Sequence, residues 1–428
     1  MKRQDALTEL REYIAGLWIL DTHEHLVPET ERCATQRDFS ELFRTYTGNM
    51  LISAGMPQSD FNEFMRPATP HGRKWALVSS WLTAIKRLGY WQAIQIALRD
   101  LFDIHEFTEA SMQTLSERLQ ATNIPGWYAE VFAKARIARC VWDRTWARTG
   151  LECDRKLFAP VVRYDRFVMV SSTGEVARLE AELDLSIHSF ADLELALERR
   201  FELDLAAGMV GVKCGLAYAR TLDFAKPTFQ EANRVFSRFS AQPGQSVSLA
   251  EGKPLQDWLM HRVLQLVEKA GLPIQFHTGL LSGNSYAPEN ARPTHLANVL
   301  AEYPKVRFAL LHLGWPDGGE CITLAKNFPN AHADMAWVWA ISPPGGRAVL
   351  RELLETVPAN KIHAFGGDWH EVEGAYGHAQ LAREGVAQVL ADRVAEGTDS
   401  IQEARRLARM ILFESPRALY CPELEYTE

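Results

Sequence analysis

Cysteine is scarce and unpaired in this chain. The six cysteines among 428 residues stand at 33, 140, 153, 214, 321 and 421, with no CxxC pair. That excludes a dense disulfide framework of the secreted type and points to reduced thiols in a cytoplasmic protein. Long apolar runs are also missing: no stretch approaches the roughly 20 residues of a membrane span. The N-terminus has a basic start, but acidic residues follow at once. Its apolar run Ile14–Leu20 includes Gly16 and leads straight into Asp-Thr-His-Glu-His, which is not the design of a signal peptide. Positive charge is not in excess either. With 46 basic and 54 acidic residues the net charge is −8, which argues against nucleic-acid or anionic-membrane partners and leaves room for a local basic pocket. There is no internal repeat and no low-complexity tract.

The composition present is that of a soluble globular protein, 47% apolar and 23% charged. Such a chain can bury an ample core without disulfides or a structural metal. Several of the 12 tryptophans cluster in 75–147, as an aromatic cover or as core. Eight short apolar runs read as strands buried on both faces. They are Leu17–Thr22, Arg136–Asp143, Pro160–Asp165, Met209–Cys214, Leu272–His277, Val306–His312, Ala331–Met335 and Ile362–Gly367. Amphipathic stretches lie between most of them, at Gly174–Glu202, Leu255–Ala270, Thr294–Tyr303, Gly319–Phe328, Gly345–Val357 and Tyr376–Glu396. Strands alternating with helices predict α/β architecture, a (β/α)8 TIM-type barrel formed by residues 1–26 and 135–428. Residues 27–134 contain no strand pattern and are too long for a simple loop. They predict a helical insertion between strands 1 and 2 that caps the barrel mouth, with Arg66, Arg73 and Lys74 placed to meet a substrate carboxylate. Ser237–Lys253, rich in Gly, Pro and Ser, reads as a loop.

The chemistry collects at the ends of these runs. His23 and His25 are two apart at the end of the first strand, so both imidazoles face the same side and can face the barrel axis together. Neutral imidazole is a good ligand for a divalent ion. His277 ends the fifth run, His312 ends the sixth, and Asp368 follows the eighth. In a closed barrel, polar residues at the C-terminal ends of four strands converge at the mouth, where such barrels place their chemistry.

The order of an HxH on strand 1, His on strand 5, His on strand 6 and Asp on strand 8 resembles the amidohydrolase superfamily. The stretches FHTGLLSGN, LANVLAEYPKVRFALLHLGWP and NKIHAFGGDW look like its amidohydrolase-related branch of metal-dependent hydrolases and decarboxylases. The helical insertion is similar to that of the amidohydrolase-like domain of FluG-type proteins and, more distantly, of uronate isomerases. The resemblance implies one divalent ion, Zn2+ or Mn2+, held by His23, His25, His277 and Asp368, with His312 beside the activated water. Lys213 ends strand 4. A carboxylated lysine there would bridge two ions, but Lys213-Cys-Gly-Leu-Ala-Tyr218-Ala-Arg220 looks more like the branch's substrate-side pattern, which favours a single metal.

Lys213, Tyr218 and Arg220 are therefore candidates for an anion-binding wall, set against a lysine that merely pairs with a neighbouring acid. Arg163 either clamps a substrate carboxylate or pairs with Asp165. Trp315 and Trp337 either line the pocket or pack. Asp143 and Arg144 read as partners behind the ligands or as an ion pair. His363 reads as structural, and His370, Glu371 and His378 as solvent-exposed or as a layer behind the ligands. The expected activity is hydrolysis of an amide, ester or lactone in a small carboxylate-bearing substrate. Asp368 would ligate the ion and move the proton, and His312 would orient or stabilise the oxyanion. Non-oxidative decarboxylation and a uronate-isomerase-like proton shuttle are the alternatives. The protein is expected to be a cytoplasmic homo-oligomer whose other partner is a small molecule.

Overall fold

The computed structural model describes residues 1–144 and 151–426; Trp146, one of the clustered tryptophans, lies outside them. Eight parallel strands run in sequence order around the sheet. They are β1 (Ile19–Glu24), β2 (Ile137–Asp143), β3 (Phe158–Arg163), β4 (Gly211–Cys214), β5 (Pro273–His277), β6 (Arg307–Leu311), β7 (Ala331–Asp334) and β8 (Ile362–His363). Each falls within two residues of its expected start. The expected barrel is therefore present, and its mostly apolar strands are covered by helices such as Leu249–Ala270 and Val372–Glu396. The register aligns the strand ends into one rim: Arg163 lies beside Lys213, and His277 beside Leu311.

The barrel closes between β1 and the chain that follows β8. The Thr22 amide donates to the Phe365 carbonyl at 3.2 Å, the Asp368 amide to His23 O at 2.6 Å, and the His25 amide to Trp369 O at 2.9 Å. Two glycines make this approach possible. A Cβ on Gly367 would lie 1.6 Å from Glu24 Oε1, and one on Gly366 would lie 2.5 Å from Thr22 Oγ1. The Gly-Gly pair before Asp368 is thus a requirement of close packing at this seam.

Between β1 and β2 the chain is helical, with its longest helices at His71–Ile85, Gly89–Phe102 and Glu109–Ala121. Gly89–Phe102 lies against Val372–Glu396 of the barrel, close enough that a Cβ on Gly377 would meet Ala93 O. A fully buried Arg32–Glu373 ion pair of 2.7 Å crosses the same boundary. Two of the three cations expected to meet a substrate carboxylate are engaged within their own segment. Arg73 is bound to Glu63 at 2.9 Å, and Lys74 is buried against Asp38 at 2.6 Å. Both are satisfied by acids of their own segment.

Two local expectations change. The single helix over 174–202 is two, Thr173–Leu183 and Phe190–Ala206, because Asp184 turns left-handed (φ 51) and Ser189 with Asp192 forms a capping box. The loop over 237–253 shrinks, since one helix reaches Ser240 and the next begins at Leu249. Ser248 and Glu251 cap that second helix reciprocally, although Gly252 and Pro254 give its start the look of a loop. Among the described residues no helix is long and apolar enough to cross a membrane.

Candidate metal centre

His23, His25 and Asp368 meet at the C-terminal mouth, with one ligand-type atom of each within 4.8 Å of the others. The hydrogen bonds behind them decide which ring nitrogens face inward. Gln275 is completely buried in β5, and its amide nitrogen donates to Thr22 O at 2.8 Å and to the Tyr420 hydroxyl at 3.0 Å. Its Oε1 must therefore accept from His23 Nδ1, 3.0 Å away. His25 Nδ1 donates to the Asp143 carbonyl at 2.9 Å. Both rings then turn an unprotonated Nε2 toward Asp368 Oδ1, at 3.4 Å from His23 and 3.1 Å from His25. Asp368 brings two more acceptor oxygens to the same place.

The next two histidines follow the same rule. His277 Nε2 donates to Leu280 O at 2.8 Å, and His312 Nδ1 donates to Ala336 O at 2.8 Å. The remaining nitrogens, His277 Nδ1 and His312 Nε2, face each other at 3.1 Å. Four imidazoles thus have one nitrogen tied to a fixed oxygen and a lone pair turned inward, beside a carboxylate. Such a set of acceptors is mutually repulsive without a cation, and it fits a divalent ion. Lys213 offsets part of the repulsion, its Nζ lying 3.0 Å from His23 Nε2. His277, the fourth residue of the expected set, stands beside this three-residue cluster, with its inward nitrogen facing His312.

Electrostatics agree with the hydrogen bonds. Burial lowers His23 and His277 well below the ordinary histidine value and brings His312 down to about 4, so the rings are neutral. Burial, then repulsion from Arg163, lowers Lys213 to about 8. Asp368 and His312 both have left-handed backbones (φ 59 and 64), as do Leu313 (φ 53) and Trp337 (φ 70). Non-glycine residues held this way cost of order 1–3 kcal/mol each, and they cluster where the chain aims functional side chains.

The cluster opens into a cavity of about 300 Å³ lined by His25, Asp368, Arg163, Tyr218, His277, His370, Tyr46, Ser282 and Tyr286. Of the candidate substrate-binding residues, Arg163 and Tyr218 line this cavity. The partner of Arg163 is Asp143, 2.6 Å away, rather than Asp165, because Asp165 is engaged by the Gly215 amide. Tyr218 accepts from the Ser282 amide at 3.0 Å, leaving its O–H to donate. Two candidates are elsewhere. Arg220 is buried against Asp257 and Gln256, with two further donors on the carbonyls of Thr221 and Asp223. Trp315 lines a neighbouring depression and not this cavity. Arg144 pairs with Glu31 at 2.9 Å.

Of the two readings of the residues after Asp368, solvent exposure is not found. His370 stacks on His25 with ring centroids 5.3 Å apart, and Glu371 and His378 are buried. His363 is internal, bound to Asp334 at 3.1 Å. Trp337 packs against His312 and Tyr46. Tyr46, from the helical segment after β1, lines the cavity and donates to the Asp368 carbonyl. No periodicity singled it out.

The amidohydrolase family profile matches residues 206–405, a little under half of this chain, whose parallel eight-stranded barrel carries histidines and an aspartate at its mouth. More particularly, the chain is similar to the FluG protein of Emericella nidulans, at 32% identity over 288 residues. That match takes in 60% of this chain and 33% of FluG, so the chain spans about a third of its curated relative. Among solved structures, uronate isomerase from Thermotoga maritima has the same fold (TM-score 0.81, 17% identity, 97% of each chain). So does glucuronate isomerase from Caulobacter crescentus (TM-score 0.81, 17% identity, 99% of this chain and 95% of that one). A Lactobacillus casei protein described as a metal-dependent hydrolase follows (TM-score 0.69, 18% identity, 97% and 98%).

Proposed function

We propose that this protein is a metal-dependent hydrolase acting on the amide, ester or lactone bond of a small carboxylate-bearing substrate. The observation that carries the proposal is the set of inward lone pairs on fixed imidazoles beside Asp368, opening on a cavity that also holds Arg163 and Tyr218. His23, His25 and Asp368 would hold a single Zn2+ or Mn2+, with His277 as a fourth donor. A divalent ion in that position supplies Lewis acidity, lowering the pKa of water toward neutrality and polarising a carbonyl.

The chain's own residues then have distinct tasks. Arg163 and the Tyr218 hydroxyl bind and orient the substrate carboxylate. Asp368, ionised, accepts the proton of the attacking water and returns it to the leaving group. His312 presents an acceptor 3.9 Å from Asp368 Oδ2. As a neutral ring with its proton on the Ala336 side, it is placed to take a proton rather than to donate to an oxyanion. This refines the expected role. Tyr46, over the Asp368 carbonyl, helps exclude water from the cavity.

A second reading is a uronate-isomerase-like proton shuttle between adjacent carbons. It is favoured by the fold shared with uronate isomerases over 97% of the chain, which includes the helical segment after β1. A screen of carboxylate-bearing amides, esters, lactones and uronates with Zn2+- or Mn2+-supplemented protein separates the readings by mass. Gain of one water supports hydrolysis. An unchanged mass with a new product supports isomerisation, and loss of CO2 would replace both with decarboxylation. Elemental analysis finding no metal, with activity indifferent to chelators, would remove the proposal.

A further inference from the structure

The metal-side cavity has a neighbour. A second cavity of about 290 Å³ lies between the loop after β5 and the loop after β6, lined in part by Leu280, Leu281, Pro288, Pro293 and Trp315. Tyr286 lines both cavities. The inner side of this wall is continuous with the candidate metal centre: Tyr286 packs edge-on against Tyr218 at 5.3 Å, and Tyr218 lies 4.8 Å from His277. Leu280, which lines the outer cavity, accepts the His277 hydrogen bond through its carbonyl.

The outer cavity is apolar in character. Its one cation, Arg292, is spent on Glu320, and Glu320 also accepts from the backbone and hydroxyl of Thr294 at 3.3 and 2.8 Å. Apart from this pair, Asp317 is the one charged residue on the lining. What remains is an aromatic and aliphatic lining suited to a flat ring or a branched chain. The loop that carries Tyr286 is shaped for this position. Gly283 (φ 105) and Ser285 (φ 68) are left-handed, and a Cβ on Gly283 would come 2.8 Å from Tyr286 Cε2.

We infer that the outer cavity is a subsite for an aromatic or branched aliphatic group of the substrate, with Tyr286 and Trp315 as the residues that determine specificity for it. The substrate would then have two ends: a carboxylate at Arg163 and Tyr218, and an apolar group several bonds away beyond Tyr286. This rests on the carboxylate-binding role proposed above. It gives Trp315, which does not line the metal-side cavity, a binding role one step outward.

The test is a calorimetric comparison of three unreactive probes on the purified, Zn2+-supplemented protein: butanoate, 4-phenylbutanoate and 4-phenylbutan-1-ol. The expected result is that 4-phenylbutanoate binds at least about tenfold tighter than butanoate, as burial of a ring requires. Trp315→Ala should cut that ratio below about threefold while leaving butanoate unchanged, and Tyr286→Ala should cut the ratio likewise. Tyr286 is 47% exposed, so its truncation leaves the core intact. Equal binding of the two carboxylates by the unaltered protein, or a ratio that survives both substitutions, would overturn the subsite. If the alcohol binds as well as the carboxylate and still weakens in both variants, the subsite stands and the carboxylate role of Arg163 fails. If no probe binds, both fail.

Discussion

Replacement of Gln275 by leucine should weaken metal binding without removing any candidate ligand. The Gln275 side chain is completely buried and joins three elements: it accepts from His23 and donates to Thr22 O and to Tyr420. Its oxygen is what keeps the His23 proton on Nδ1 and the lone pair on Nε2. Leucine cannot accept, so His23 loses both its tautomer lock and its orientation. Loss of such an outer partner typically weakens metal affinity about 10–100-fold. The fold suffers separately, because the buried Thr22 carbonyl is left without the donor at 2.8 Å; an orphaned group of this kind costs about 1–3 kcal/mol. Gln275→Glu separates the two effects. Its carboxylate still accepts from His23, so metal affinity should recover toward that of the unaltered protein. It cannot donate to Thr22, so the stability loss should persist. Competition for Zn2+ with a chromophoric chelator reads the first effect, and thermal unfolding of the metal-free protein reads the second. A folded Gln275→Leu protein that binds Zn2+ within about threefold of the unaltered protein would refute the reasoning.

His312→Asn should lower kcat at least about a hundredfold while metal content by elemental analysis stays near that of the unaltered protein; loss of metal would make His312 a ligand. Arg163→Leu strands the buried Asp143 carboxylate, which sits 2.6 Å from that guanidinium, and should destabilise the fold by about 3 kcal/mol in urea melts. Arg163→Leu with Asp143→Asn should recover most of this, and a double variant as unstable as the single would contradict the pairing. Burial pushes Glu371 up to about 8 against the attraction of Arg37. A carboxyl raised on folding contributes its full stability below its unfolded value near 4.5 and loses it as the pH rises toward about 8. Glu371→Gln, which keeps the neutral form, should therefore gain Tm on the unaltered protein across that window; parallel Tm profiles would exclude the effect.

The barrel was legible because its strands are buried on both faces and read as uninterrupted apolar runs. The histidines and Asp368 were legible because each stops such a run. Gln275 carried the same signal without being singled out. It is the lone polar residue inside Pro-Ile-Gln-Phe-His, two before His277, so period-two alternation aims it at the barrel axis with that histidine. Tyr46 carried no such signal, because its place over Asp368 depends on how the helical segment folds back. Arg220 and Arg163 show a different limit. Both are cations near strand ends, and only tertiary contacts reveal that one is fully engaged by Asp257 while the other reaches the cavity. Trp315 was recognised as a lining aromatic, yet sequence distance could not tell the metal-side cavity from its neighbour.

The seam between β1 and the segment after β8 has a consequence for how the molecule is made. His23 and His25 leave the ribosome more than three hundred residues before Asp368. The His23 carbonyl is paired by the Asp368 amide across that seam, so the last turn of the barrel both shuts the cylinder and completes the donor set. Until then a nascent chain has two histidines without their carboxylate. Contacts of such long sequence separation form late, after the loop-closure entropy of the whole chain has been overcome. An ion captured at that moment would rivet the two ends of the barrel together, and its removal from the mature protein would loosen the molecule first at this seam.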